Sequence, residues 1–173
     1  KVQSMFSNFV FNNARPITKS MLAWWAFQYD SQELISLETI LEVEHIYARN
    51  RYENDKSLSD VRNLEALGNK ALLEKRINIR AADYRFADKI KYYQGFTNSR
   101  NQQKEGTQNH ELILLSTADD FTEADIVRRT EDIMSAFVAF LIPFVALITL
   151  TFSGKSYAIF PSASVMAETT ITL

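Results

Sequence analysis

The chain has 173 residues, a net charge of −2 and no cysteine, which is long enough for a folded domain with its own core. The absence of cysteine excludes a disulfide framework and every cysteine-based zinc site, and we therefore expect a cytoplasmic protein. Only two histidines are present, so a metal would have to bind mainly to oxygen ligands, which favours Mg²⁺ or Mn²⁺ over zinc. Because the sequence starts at Lys1 and shows no signal peptide, we expect the C-terminal part of a longer protein.

Charge is segregated along the chain. Residues 49–104 carry 13 Lys and Arg against 7 Asp and Glu, whereas the remaining residues carry 6 against 14. A basic block of this kind suggests a polyanionic substrate. A solvated surface of mixed charge is an equally good interpretation of the block taken alone.

The first part of the chain predicts helices followed by a strand. Residues 1–16 are expected to connect to a missing N-terminal region, and residues 17–29 are apolar enough to form a core helix after Pro16. Residues 34–46 alternate between apolar and acidic side chains, which predicts a strand. Residues 47–62 are polar and predict a long loop.

The next part predicts a second strand and two helices. Residues 68–73 predict a short strand, residues 79–93 a helix, and residues 94–110 a polar connection. Thr122, with Asp125 three residues later, is close to a capping box and predicts the start of a further helix.

The C-terminal tail, residues 142–173, requires a separate interpretation. Residues 133–154 contain no charge over 22 residues, which is long enough for a transmembrane segment. Pro143 and the absence of a flanking basic cluster argue against a membrane span, and we do not expect one. Turn-forming residues at 153–155 favour a β-hairpin over residues 144–160.

An acid and a histidine stand side by side at the end of the predicted strand. Glu44 and His45 are followed within the basic block by Asn69, Asn78 and Lys89. A one-metal phosphodiesterase needs an acid and a later polar residue for the cation, a histidine to deprotonate water, and a basic group that faces phosphate. Each residue also has an ordinary structural explanation, such as a core histidine, a turn asparagine, a helix cap or a solvated lysine. Strict alternation would send the acid and the histidine to opposite faces unless the strand ends or bulges there.

The order of these residues resembles a known nuclease family, the HNH (ββα-metal) domain at the C-terminus of GmrSD-type modification-dependent restriction endonucleases. The resemblance covers residues 17–141. It is carried by Glu44-His45-Ile46, Gly68-Asn69 with Leu72-Leu73, Asn78, Phe86, Lys89, and the later helix from Phe121-Thr122-Glu123 through Arg128-Arg129. Two positions depart from the family pattern: Ala48 stands where proline is usual, and Lys70 stands where leucine follows Gly-Asn. Neither departure removes a catalytic group.

The resemblance implies an α+β, mostly helical fold, in which a small ββα-metal (HNH) hairpin–helix core packs among flanking helices over residues 17–141. It also implies a metal-dependent DNA endonuclease from a restriction or phage-defence protein. The DNA could be modified, and a nucleotide-dependent N-terminal domain would lie outside this chain. Two other classes stay open. One is a catalytically silent DNA-binding module, against which the intact Glu44 and His45 argue, and the other is a helical interaction or membrane-associated domain.

The resemblance also assigns roles to individual residues. His45 would be the general base, Glu44 and Asn78 would hold one Mg²⁺ or Mn²⁺, and Asn69 would orient the loop that carries the histidine. A different alignment would promote Asn63 in place of Asn69. The residues expected to contact DNA phosphates are Arg76, Arg80, Arg85 and Lys89.

Overall fold

The computed structural model describes the backbone of residues 11–152 and the side chains of residues 11–143. Over these residues the elements follow one another as α1 (Pro16–Ala26), β1 (Leu41–His45), α2 (Arg49–Asp55), two short 3₁₀ turns (Val61–Glu65 and Leu67–Asn69), β2 (Lys70–Glu74), α3 (Lys75–Ala81), α4 (Phe86–Gln94), β3 (Gly95–Thr97), β4 (Gln103–Glu105), α5 (His110–Leu115) and α6 (Glu123–Phe152). The backbone divides into two compact units, with the boundary between Ala136 and Phe137.

The central feature is an antiparallel hairpin-like pair followed directly by a helix. β1 pairs with β2 so that Leu41 lies opposite Glu74 and His45 lies opposite Lys70. α3 begins immediately after β2, which gives a ββα arrangement. A second small antiparallel sheet is formed by β3 and β4. The predicted α+β fold, with a small ββα core among helices, is confirmed.

The hydrophobic core lies around β2, all five residues of which are buried. Phe86 of α4 is at the centre of an aromatic group, with its ring centroid 5.7 Å from that of Phe121 and 6.4 Å from that of Tyr93. Burial of such apolar side chains is the main stabilising contribution to the fold. The fully buried apolar residues of this core include Ile46, Tyr47, Leu73, Ile77, Phe86, Tyr93, Leu112 and Ile126.

Helix α6 begins where the sequence predicts. The carboxylate oxygen Oδ2 of Asp125 accepts hydrogen bonds from the backbone N–H of Thr122 (2.9 Å) and from its hydroxyl (2.7 Å). Glu123 adds a second anchor, because its carboxylate accepts from the backbone N–H groups of Ser59 and Asp60 at 2.8 and 2.9 Å. These hydrogen bonds, with one from the side chain of Asn63, lower the pKa of Glu123 to about 2. The start of α6 is therefore fixed to the loop that precedes β2.

Several boundaries differ from the sequence predictions. β1 is shorter than residues 34–46, because a turn closed by the Thr39 N–H and the Ser36 carbonyl (2.9 Å) precedes it. The segment predicted as a loop at 47–62 contains α2, whose Tyr52 packs against the core. The polar connection contains the β3–β4 pair.

The helix predicted over residues 79–93 is two helices, α3 and α4, which are separated by residues 82–85. Ala82 ends α3 with a φ of 44° and a ψ of −147°. A residue other than glycine rarely adopts a positive φ. This backbone conformation at Ala82 interrupts the helical hydrogen bonds and changes the direction of the chain.

The strand predicted over residues 144–152 is wrong, because α6 continues through Pro143 to Phe152. A helix satisfies its own backbone groups and loses a single hydrogen bond at a proline, whereas a strand would need a partner strand. Residues 153–160, the rest of the predicted hairpin, lie outside the described residues. None of the helices in the described part of the chain is both long and apolar enough to cross a membrane. The domain boundaries at residues 17, 141 and 142 stay predictions.

The chain must have a glycine at position 68, where α6 approaches the start of β2. A Cβ atom there would lie 2.1 Å from the Ile126 carbonyl oxygen and 2.2 Å from the Thr130 hydroxyl. We therefore expect Gly68→Ala to lower the free energy of unfolding by about 1–3 kcal/mol through overpacking. Urea unfolding measures this change, with Ser99→Ala at an exposed turn as the control. Equal stabilities of the two variants would show that α6 does not pack this closely.

Candidate active site

Glu44 is a buried acid near the end of β1 whose partners come from α4. Its Oε1 accepts hydrogen bonds from the Lys89 ammonium at 2.6 Å and the Tyr93 hydroxyl at 3.0 Å. Lys89 also donates to the backbone carbonyl of His45 at 2.7 Å. Burial raises the pKa of the Glu44 carboxyl, and the charge of Lys89 opposes that increase. The ion pair therefore fixes the end of β1 against α4.

Lys89 does not lie where the sequence predicts. Its side chain is almost completely buried, and its ammonium is engaged by Glu44 and His45. In this arrangement the ammonium is not directed to the protein surface, and the contact of Lys89 with DNA stays a prediction. Helix periodicity predicts which face of a helix carries a lysine. It does not predict that the long side chain reaches a buried carboxylate on the facing strand.

His45, the last residue of β1, points away from Glu44. Its side chain is 12% exposed, and its Nε2 lies 3.4 Å from Oε1 of Glu65. That nitrogen is buried without a hydrogen-bond partner, so the contact with Glu65 lacks hydrogen-bond geometry. Burial lowers the pKa of His45 to about 4, and although the charge of Glu65 raises this pKa, those of Lys70 and Arg49 lower it. The imidazole is thus uncharged at neutral pH, and it binds a proton less tightly than an exposed histidine does.

Asn69 holds the backbone that follows His45. Its side-chain NH₂ donates to the carbonyls of Tyr47 (3.1 Å) and Leu64 (2.9 Å), and its side-chain oxygen accepts from the Tyr47 N–H (2.7 Å). The backbone carbonyl of Asn69 also accepts from the Ile46 N–H at 2.9 Å. The side chain is fully buried, and its two bonds with the Tyr47 backbone are protected from water. This geometry is what a residue that orients the histidine loop requires, and its catalytic role stays a prediction.

The cation site expected between Glu44 and Asn78 is not assembled. The Asn78 side-chain NH₂ donates to Oε2 of Glu42 at 2.9 Å, and the Glu44 carboxylate is neutralised by Lys89. Within the described residues no group of three His, Cys, Asp or Glu side chains could hold a metal ion. The oxygen donors are of the kind that Mg²⁺ and Mn²⁺ bind, but in this arrangement they do not fit a cation between Glu44 and Asn78.

The three predicted DNA-contacting arginines lie at or near the surface and have acidic or carbonyl partners. Arg76 pairs with the Glu105 carboxylate at 2.6 Å, and Arg80 donates to the Glu105 carbonyl at 3.4 Å. Arg85 precedes α4 and pairs with Asp55 at 2.6 Å. These are pairs at or near the surface, of the kind that a phosphate can displace at little cost. Their contact with DNA stays a prediction.

The sequence analysis does not predict two clusters of charged side chains. One consists of Arg49, Glu65 and Lys70, and its only sequence signal is that Lys70 stands at a position where the family pattern has leucine. The other is the buried pair of Arg129 with Glu111, at 2.6 and 2.7 Å. The Arg129 guanidinium also donates to three backbone carbonyls on either side of Asn69, those of Leu67, Gly68 and Lys70.

The described residues thus form an α+β domain with a ββα core, and His45 lies at the end of its first strand. The family model for the C-terminal domain of GmrSD restriction endonucleases matches residues 1–136. The chain belongs to this family, and the predicted resemblance is confirmed at that level. Searches of curated proteins and of solved structures found no match.

The buried ion pair predicts how stability should depend on pH. Lys89→Met leaves Glu44 without its counter-ion, and breaking such a buried pair costs about 3–5 kcal/mol. A carboxyl whose folded pKa is raised binds its proton more tightly in the folded state, so stability falls as pH rises through that pKa. The loss in Lys89→Met should therefore be large at neutral pH and smaller at acidic pH.

Urea unfolding of Lys89→Met at both pH values measures this difference. The double variant Glu44→Gln with Lys89→Met is the control, because a neutral amide in place of the carboxylate removes the charge that needs a partner. A loss that is the same at both pH values would mean that the charge of Glu44 is not the cause.

Proposed function

We propose that the chain is the nuclease part of a restriction endonuclease that hydrolyses DNA phosphodiester bonds, with His45 as the general base. The observation that supports this most directly is the double contact of Asn69 with the Tyr47 backbone, which fixes the segment after the histidine. Membership of the GmrSD C-terminal family gives the nuclease class. The HNH subtype and a role in phage defence are part of the same proposal.

The chain's own residues supply the following steps. The uncharged imidazole of His45 takes a proton from a water molecule, and the oxygen of this water attacks the phosphorus atom. The bond to the 3′-oxygen breaks, and the 3′-oxygen keeps the bonding electrons and takes a proton from solvent water. Asn69 and Lys89 hold the backbone at Tyr47 and His45, so they limit the positions that the imidazole can adopt. Arg76, Arg80 and Arg85 provide positive charge for neighbouring phosphates.

The requirement for Mg²⁺ or Mn²⁺ rests on the family resemblance, since Glu44 and Asn78 are not arranged around a common cation. A nucleotide-dependent N-terminal domain, as the resemblance implies, would supply control of cleavage.

The central test is the loss of cleavage in His45→Ala. Removal of a general base lowers the rate by roughly 10²- to 10⁴-fold, and we expect a decrease of that size in the nicking of supercoiled plasmid. His110→Ala is a matched control, because it removes the chain's other histidine while its backbone N–H keeps the bond to Gln32. Equal cleavage by both variants would contradict the assignment of His45, and DNA binding without cleavage by the unaltered chain would favour the catalytically silent module.

The cation requirement has a separate test. We expect plasmid cleavage to stop in EDTA and to return when Mg²⁺ or Mn²⁺ is added in excess, because a hard divalent cation stabilises the charge that develops on the phosphate. Ca²⁺ is a useful comparison, since it also binds oxygen ligands but with a larger and more flexible geometry. Cleavage that continues unchanged in EDTA would show that the reaction does not use a divalent cation.

A further inference from the structure

Two cationic side chains and the imidazole of the proposed general base surround the carboxylate of Glu65. Arg49 pairs with Oε1, the ammonium of Lys70 lies 2.8 Å from Oε2, and Nε2 of His45 lies 3.4 Å from Oε1. Glu65 ends the short 3₁₀ turn Val61–Glu65, while Arg49 starts α2 and Lys70 starts β2. The carboxylate is therefore held by separate elements of the fold, on both of its oxygens.

The charges of this group do not cancel. Two cationic side chains, those of Arg49 and Lys70, face the one carboxylate of Glu65. The side chain of Lys70 is fully buried, and besides Glu65 its ammonium contacts only the Phe11 carbonyl within the described residues. A buried ammonium without an anion is costly, so this position requires a negative group.

The contact between Glu65 and His45 does not have the form of an orienting pair. An acid that orients a histidine accepts a hydrogen bond from its ring N–H. Here Nε2 is buried without a hydrogen-bond partner although a carboxylate oxygen is 3.4 Å away. Both oxygens of Glu65 are instead paired with the cations, in the way that two oxygens of a phosphate are.

We propose that Arg49, Lys70 and His45 form a binding position for one phosphodiester group of the substrate, and that the Glu65 carboxylate occupies this position when no substrate is bound. The proposal rests on the proposed nuclease function, since it places the phosphate against the general base. The Glu65 side chain is 36% exposed and that of Arg49 is 53% exposed, so this pair lies at the open side of the cluster. The exposed Arg49 pair is weak, and a phosphate that also supplies the negative charge that the buried Lys70 requires can displace Glu65 into water.

Removal of the competing carboxylate should improve substrate binding. We expect Glu65→Ala to lower the KM for plasmid DNA on the order of tenfold without a decrease in kcat, because an internal anion no longer competes for the position. Glu53→Ala is the matched control, since it removes the same charge from an exposed position of α2. A decrease in kcat with a shifted pH profile would overturn the proposal and make Glu65 an orienting partner of His45, and a change equal to that of Glu53→Ala would overturn it as a general charge effect.

Arg49→Ala provides a second variant that changes an exposed side chain. We expect a KM several-fold higher with little change in kcat, since a cation that binds the phosphate is lost. Unchanged KM in Arg49→Ala would contradict the proposal even if Glu65→Ala failed to fold.

A binding measurement separates this proposal from the proposed function. Titration of inorganic phosphate into Glu65→Ala should shift the NMR signals of the His45 ring, with much smaller shifts in the unaltered chain and in Glu65→Ala combined with Arg49→Ala. Such shifts without plasmid cleavage by any variant would support the phosphate position and reject the nuclease function. Cleavage that depends on His45, together with no phosphate-dependent shift in Glu65→Ala, would reject the phosphate position alone.

Discussion

The rest of the site depends on the hydrogen bonds of the Arg129 guanidinium. It pairs with both oxygens of Glu111 and donates to the carbonyls of Leu67, Gly68 and Lys70. Arginine suits this role because its five donors lie in one rigid plane. Since Asn69 lies within this clamped segment, its contacts with the Tyr47 backbone, and with them the position of His45, depend on a side chain of α6.

Two buried ion pairs help to determine which elements of this domain pack against each other. Glu44 with Lys89, and Glu111 with Arg129, are both removed from water and hydrogen-bonded to further groups, Tyr93 and the His45 carbonyl in the first pair and Trp25 in the second. Buried pairs of this kind add little net stability, but losing one partner is costly. They therefore favour a single arrangement of β1, α4 and α6 over alternatives that apolar packing alone would allow.

The sequence predicts the features that depend on close neighbours in the chain. The alternation before His45 and the Thr122–Asp125 pair are local, and both elements are present. The short helix α2 and the β3–β4 pair are not predicted, because brief elements in polar segments have little periodicity. The partners of the site residues are also beyond prediction: Glu44 and Lys89 are 45 positions apart, and only the packing of α4 on β1 shows that they meet.

The backbone that follows His45 is held by buried hydrogen bonds, whereas the side chain of Glu65 is partly exposed. Amides held by buried side chains open only when a whole cooperative unit opens, which requires a free energy close to that of global unfolding. A partly exposed side chain such as Glu65 changes rotamer without such an opening. If a phosphate displaces Glu65 as proposed, the imidazole becomes accessible through the rotation of one side chain, while the hydrogen bond of the Tyr47 amide stays in place.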